Sequence, residues 1–183
     1  MAMMTAELYE ESLRSLNLVV YMFGKRLANV VDAPMIRPSM QAVAKTYEMA
    51  HRPEHADIMT ATSHITGKKI NRFTHIHQSV DDLVKKSKMG RLLGRETGCC
   101  FQRCVGMDAL NALSIVTYNM DQKYGSGYHP NFLAYLEYVQ ENDLTCDGAM
   151  TDPKGDRSLP PHKQSDPDLY LHVVEERADG IVV

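Results

Sequence analysis

Thr97-Gly98-Cys99-Cys100-Phe101-Gln102-Arg103-Cys104-Val105-Gly106-Met107-Asp108 gathers three of the chain's four cysteines into six residues and leads into a long apolar-striped segment. If that stretch is helical, Cys100 and Cys104 share a face, because residues four apart on a helix have Cβ atoms roughly 5–6 Å from each other. Both sulfurs then reach one centre while Cys99 points elsewhere. Two thiolates do not complete an iron–sulfur site, which usually takes about four protein ligands. A cluster here draws its other ligands from another segment, another chain or sequence past Val183. The competing reading is that small buried cysteines pack a helix against a core, since Cys-x3-Cys without further paired cysteines is a weak signal.

Beyond the cysteines, Val105, Ala109, Leu110, Ala112, Leu113, Val116, Tyr118 and Met120 are apolar around much of a helix circumference, as a central helix packed on several sides requires. Gly125-Ser126-Gly127 ends it. Upstream, Ser79 and Asp82 start a helix with Leu83, Val84, Leu92 and Leu93 on its apolar side, lasting to Gly94. From Ala56 to Gln78 periodicity is poor and a long ordered loop is expected, with His64, His75 and His77 as surface or hydrogen-bonded histidines. Met40, Val43, Ala44 and Tyr47 recur at helical spacing between Pro38 and Pro53. Thr5 caps a first helix to about Leu16, after which the apolar run Asn17 to Phe23 reads as a buried strand or a continued helix.

Downstream, Pro130 suits a first helical position, with Phe132, Leu133, Leu136 and Val139 marking a helix to about Asn142. After Asp143 the composition turns rich in Gly, Pro and Asp. Leu169, Leu171 and Val173 then alternate with Tyr170, His172 and Val174 as a strand, and Asp179-Gly180 turns the chain into Ile181-Val182-Val183. A lone two-stranded hairpin is marginal in water. The expected fold is therefore mainly α: a helical domain over 1–143, then the start of an incomplete β domain over 144–183.

At 183 residues, 44% hydrophobic and 23% charged, with a formal charge of -3, the chain can bury a core and has no general pull toward nucleic acid or anionic membrane. Lys85-Lys86-Ser87-Lys88, followed by Arg91 and Arg95, is a phosphate-contacting patch or a solvated helix face. No run reaches the length of a membrane span, and Met1 to Arg14 carries acids rather than the basic start of a signal peptide. Crowded cysteines in a chain this long suggest reduced thiols more than a disulfide framework, and the protein reads as cytoplasmic.

Cys100-Phe101-Gln102-Arg103-Cys104-Val105-Gly106-Met107-Asp108-Ala109, Tyr138-Val139-Gln140-Glu141-Asn142-Asp143-Leu144 and the turn-rich Asp147 to Arg157 closely resemble the 4-hydroxybutyryl-CoA dehydratases. Val20 to Gly24, Pro34 to Ser39 and Ile70-Asn71-Arg72-Phe73 agree, so the resemblance covers essentially the whole chain. The wider superfamily includes the flavin-dependent 4-hydroxyphenylacetate 3-hydroxylases, in which the cysteine pair is not expected. The resemblance implies the N-terminal part of an acyl-CoA dehydrogenase-like fold, a homotetramer, FAD, and a 4Fe-4S cluster held by Cys and His. It implies Cys100 and Cys104 as ligands, leaves Cys99 and Cys146 out, and puts the remaining ligands and main acid–base groups beyond Val183, so that this fragment alone is expected to be inactive.

The implied reaction takes an acyl-CoA substrate, 4-hydroxybutyryl-CoA, to crotonyl-CoA by a radical route, with isomerisation of vinylacetyl-CoA. Gln102 is then expected to donate to or orient a ligand near the cluster. Gly148, Ala149 and Met150 approach the flavin with backbone groups. Lys154, Gly155, Asp156 and Arg157 take its ring edge or phosphates, unless they form an ordinary turn. Arg91 is a candidate for an anionic flavin or CoA group. The alternatives are a flavin-dependent aromatic hydroxylase without a cluster, and a non-catalytic helical domain whose cysteines pack or pair with a partner.

Overall fold

A computed structural model describes residues 3–98, 100–148 and 152–183. Thr5 opens the first helix as expected: its Oγ1 accepts from the Leu8 N–H at 3.2 Å, and α1 runs Ala6–Ser15. The apolar run that follows is neither a buried strand nor more helix. It forms an exposed hairpin of β1 (Tyr21–Met22) and β2 (Lys25–Arg26), turned at Phe23 and Gly24 with φ of 51° and 73°. Positive φ at both central residues suits a tight hairpin turn, and an exposed two-residue strand has no core to satisfy.

The helix α2 (Arg37–Ala50) buries Met40, Val43, Ala44 and Tyr47 on the face their spacing predicts. The Tyr47 ring meets Tyr9 of α1 at 5.2 Å, and burial pushes the Tyr9 phenol up to about 12. Where a long loop is expected, the chain instead makes a 3-10 turn at Pro53–His55, α3 (Ala56–Met59), an antiparallel hairpin of β3 (Thr60–Thr62) and β4 (Lys69–Asn71), and a 3-10 turn at Arg72–Thr74. Three-residue strands are too short to show an alternation. The Ser63 hydroxyl closes this hairpin by accepting from the Ile65 and Thr66 N–H groups at 3.1 and 3.2 Å.

Ser79 caps α4 (Val80–Thr97), which continues past Gly94 to end at Gly98 in a left-handed conformation, φ 63°. The next helix, α5, spans Cys104–Tyr124 and stops at Gly125, φ 64°. In α6 (Tyr128–Glu141), Pro130 is the third residue rather than the first, because Asp121 already accepts from the Tyr128 and His129 N–H groups at 2.9 Å each and starts the helix earlier. Among the described residues, most buried apolar side chains gather into three clusters. They join α2, α3 and α4 around Met49, Met59 and Leu93; α1 and α2 around Tyr47; and α5 and α6 around Leu110 and Leu136. Only Gly106, Met107 and Leu110 of α5 are buried, while Leu113, Ile115, Val116 and Tyr118 are exposed. The expected many-sided packing of this helix is not found among the described residues.

The chain divides into two compact units, Met1–Asp147 and Gly148–Val183. The second holds 3-10 turns at Pro161–Lys163 and Pro167–Leu169 and an antiparallel hairpin of β5 (Glu175–Arg177) and β6 (Gly180–Val182), with Glu175 opposite Val182. The strand expected at Leu169 to Val174 is thus displaced toward the C-terminus. Pro167 fixes a helical φ, and the Asp166 carboxylate accepts from the Asp168 N–H at 2.9 Å, so a turn forms where the alternation begins. The described architecture is mainly α with short two-stranded pieces.

Candidate functional site

The cysteines do not lie on one helical turn. Between the end of α4 and the start of α5, residues 100–103 are not helical: Gln102 has φ of 63°, Arg103 is the residue before α5, and only Cys104 belongs to the helix. The shared helix face expected from spacing is therefore corrected, because a left-handed residue inside the turn breaks the helical register. The thiols nevertheless come within hydrogen-bonding reach of each other. Burial pushes the Cys104 thiol up, and so do the neighbouring Cys100 charge and its hydrogen bond, against donation from the Val105 and Cys104 N–H groups. Two thiolates this close repel; a cationic centre between them relieves that, which is the donor chemistry of half an iron–sulfur site. Cys100 is exposed and Cys104 half-buried, so neither behaves as core packing. Among the described residues no group of three or more His, Cys, Asp or Glu is placed to hold a metal ion.

Side chains around the thiols alternate in depth. Cys100 and Gln102 are exposed, Phe101 is half-buried, and Arg103 is buried. Asp143 sits behind Arg103, its Oδ1 3.8 Å from Nη2, and its Oδ2 accepts from the Met4 N–H at 3.0 Å. Burial pushes the Asp143 carboxyl up, opposed by the Arg103 charge and the Met4 donor. The Tyr47 hydroxyl donates to the Asp143 carbonyl at 2.8 Å. Tyr47, Phe73, Arg103 and Asp143 were not singled out from sequence as site residues. The available signal was an arginine inside the cysteine motif, but its partners lie far away along the chain.

Arg91 is exposed on α4, as are Lys88 and Arg95. The rest of the basic run is partly neutralised: Lys85 bridges Asp57 at 2.7 Å and Asp81 at 3.0 Å, and Lys86 pairs with Asp108. His75 is the hydrogen-bonded histidine expected, its Nε2 3.1 Å from Asp82 Oδ1. In the second unit, Gly148 is half-buried, whereas Ala149 and Met150 lie outside the described residues. Lys154, Asp156 and Arg157 are exposed, and Gly155 is packed so closely on Leu169 and Gln164 that a Cβ would collide. The Asp156 carboxylate accepts from the Ser158 hydroxyl at 2.6 Å and N–H at 2.9 Å, which hold it below the usual range. This is the geometry of a built turn, with two cations left facing solvent.

No helix among the described residues is long and apolar enough to cross a membrane. The 4-hydroxybutyryl-CoA dehydratase/vinylacetyl-CoA-Delta-isomerase of Clostridium aminobutyricum is 64% identical over 181 residues, which is 99% of this chain and 37% of that protein. A solved archaeal 4-hydroxybutyryl-CoA dehydratase from N. maritimus, described as oxygen tolerant, superposes with a TM-score of 0.87 at 50% identity, covering 98% of this chain and 36% of that one. The oxygenase component of 4-hydroxyphenylacetate 3-monooxygenase, solved with FAD and 4-hydroxyphenylacetate, shares the fold with a TM-score of 0.71 at 24% identity, over 97% of this chain and 36% of that one. The chain thus spans about a third of the length of the relatives it matches, with the N-terminal architecture of an acyl-CoA dehydrogenase-like fold. Residues 5–183 match the family described as 4-hydroxyphenylacetate 3-hydroxylase N terminal, and the chain belongs to that family.

Proposed function

We propose that this chain is the N-terminal portion of a cytoplasmic, homotetrameric enzyme that removes water from 4-hydroxybutyryl-CoA to give crotonyl-CoA and isomerises vinylacetyl-CoA. The observation that carries this reading is 64% identity along 99% of the chain to a dehydratase of that name. Juxtaposed Cys100 and Cys104 thiols support it, since a flavin monooxygenase has no use for a thiolate pair.

When bound, FAD supplies one-electron chemistry and a 4Fe-4S cluster a Lewis-acid iron at which hydroxide can leave. The chain's own residues hold and orient. Cys100 and Cys104 donate two thiolates, and the remaining ligands come from the part of the relatives' length this chain does not span. Gln102, exposed between them in sequence, offers an amide that can donate to a group bound beside the cluster. Arg91 offers a cation to a flavin or CoA anion. Lys154 and Arg157 offer charge to flavin phosphates; Gly155 and Asp156 shape the turn that carries them, while Gly148, Ala149 and Met150 supply backbone groups to the ring. The acid–base steps at the substrate carbons require residues outside this chain.

Reconstitution of the full-length polypeptide without oxygen tests the proposal. About four iron and four sulfide per chain are expected, lost in Cys100→Ala and Cys104→Ala with FAD retained. Flavin-loaded, iron-free protein would overturn it.

A further inference from the structure

Arg103 stands between the two thiols in sequence, yet its side chain is only 1% exposed. The guanidinium lies 4.3 Å from the Tyr47 ring centroid and 4.4 Å from that of Phe73, and Nη1 donates to Thr46 Oγ1 at 3.0 Å. Phe101 also reaches Phe73, with ring centroids 5.7 Å apart. Phe101 is half-buried and Arg103 buried while Cys100 and Gln102 are exposed, so the seating of residues 101 and 103 in the core goes with the outward turn of 100 and 102. A helical turn would have brought the cysteines together by itself. This loop has no such internal rule, and Gln102 holds a left-handed φ of 63° that costs about 1–2 kcal/mol and persists only where the surroundings impose it.

A buried arginine is a poor choice for filling space, because an apolar side chain of similar volume is often as stabilising or more so. What arginine adds is a flat cation stacked on an aromatic face and a directional hydrogen bond. We propose that Arg103, seated on Phe73, is a positioning residue for the Cys100–Cys104 thiol pair. The nature of the centre the pair holds rests on the dehydratase reading; the positioning does not.

The test uses the full-length protein in a Cys99→Ser background, comparing Arg103→Met, Arg103→Lys and Thr46→Val with the parent. Iron-free protein is treated with diamide, an azo compound that takes up the two electrons and two protons released as the Cys100 and Cys104 thiols form a disulfide, and closure is timed by mass spectrometry. Iron-loaded protein is followed for cluster loss to a chelator and for the electron paramagnetic resonance spectrum after reduction. With unchanged circular dichroism, Arg103→Met is expected to slow disulfide closure about tenfold and to hasten cluster loss about tenfold, a barrier change of about 1.4 kcal/mol. Thr46→Val, which removes a single hydrogen bond, is expected to shift both about two- to threefold in the same directions, a barrier change of about 0.4–0.7 kcal/mol. Arg103→Lys keeps the charge without the flat stack and is expected to fall between the parent and Arg103→Met.

Closure rates and spectra equal to the parent's in Arg103→Met would overturn the proposal, as would parental values in Arg103→Lys and Thr46→Val if the methionine variant does not fold. A parent that binds no iron would remove the dehydratase reading and leave closure rates to decide the role of Arg103.

Discussion

Asp82 ties the start of α4 to the turn before it. Its Oδ2 accepts from the Gln78 N–H at 3.0 Å and the Ser79 hydroxyl at 3.1 Å, while its Oδ1 lies 3.1 Å from both Arg72 and His75. Burial pushes this carboxyl up, but donation from Gln78, His75 and Ser79 outweighs it and holds the group well below the usual range. A carboxyl lowered in the folded state contributes stability above its unfolded value, near pH 4, and loses it as pH falls toward the folded value. Asp82→Asn is therefore expected to cost about 1.5–3 kcal/mol at neutral pH, the worth of hydrogen bonds to a charged group. The gap between the two proteins should narrow on acidification below about pH 4. Urea unfolding across that range checks it, and a gap independent of pH would refute the assignment. The residues around Asp82 were legible singly, as a helix cap and a loop histidine. Their convergence was not, because Arg72 and Asp82 are ten positions apart and neither periodicity nor capping links them.

At the scale of elements, α5 and the segment after α6 meet at Gly106. A Cβ at this position would overlap the Cys146 carbonyl and side chain. Gly106→Ala sets a helix-propensity gain of about 1 kcal/mol against overpacking of about 1–3 kcal/mol. Because the nearest obstacle is the Cys146 backbone carbonyl, the clash is expected to win and lower the thermal midpoint; an unchanged or raised midpoint would show that the Cys146 segment can retreat. The helices α1, α2 and α4 were readable because capping and a 3.6-residue repeat are local properties. The region 56–78 was not. Its hairpin is fixed by contacts across the chain: Ser63 donates to Gln140 of α6 at 2.7 Å, and Gln140 donates to the Thr74 carbonyl at 2.8 Å.

Over the whole molecule, the described surface carries more apolar area on α5 than an isolated helical domain needs. Leu113, Ile115 and Val116 are 45%, 63% and 55% exposed. Exposed apolar side chains gathered on one helix are an association liability in isolation. The 183-residue polypeptide expressed by itself is expected to self-associate at micromolar concentration, and Ile115→Lys with Val116→Lys to reduce it, as read by light scattering. A chain already monomeric at high concentration would contradict the patch.

The sequence by itself determined that this chain is mainly helical and where the capped helices α1 and α4 start, because each of these depends on residues close along the chain. Tertiary structure alone decided how Cys100 and Cys104 meet. Their loop departs from helical geometry at Gln102, and the side chains that hold it, Thr46, Tyr47 and Phe73, arrive from α2 and from the turn after β4. Spacing along a chain encodes a helical turn; it carries no record of a loop whose shape is imposed from across the core.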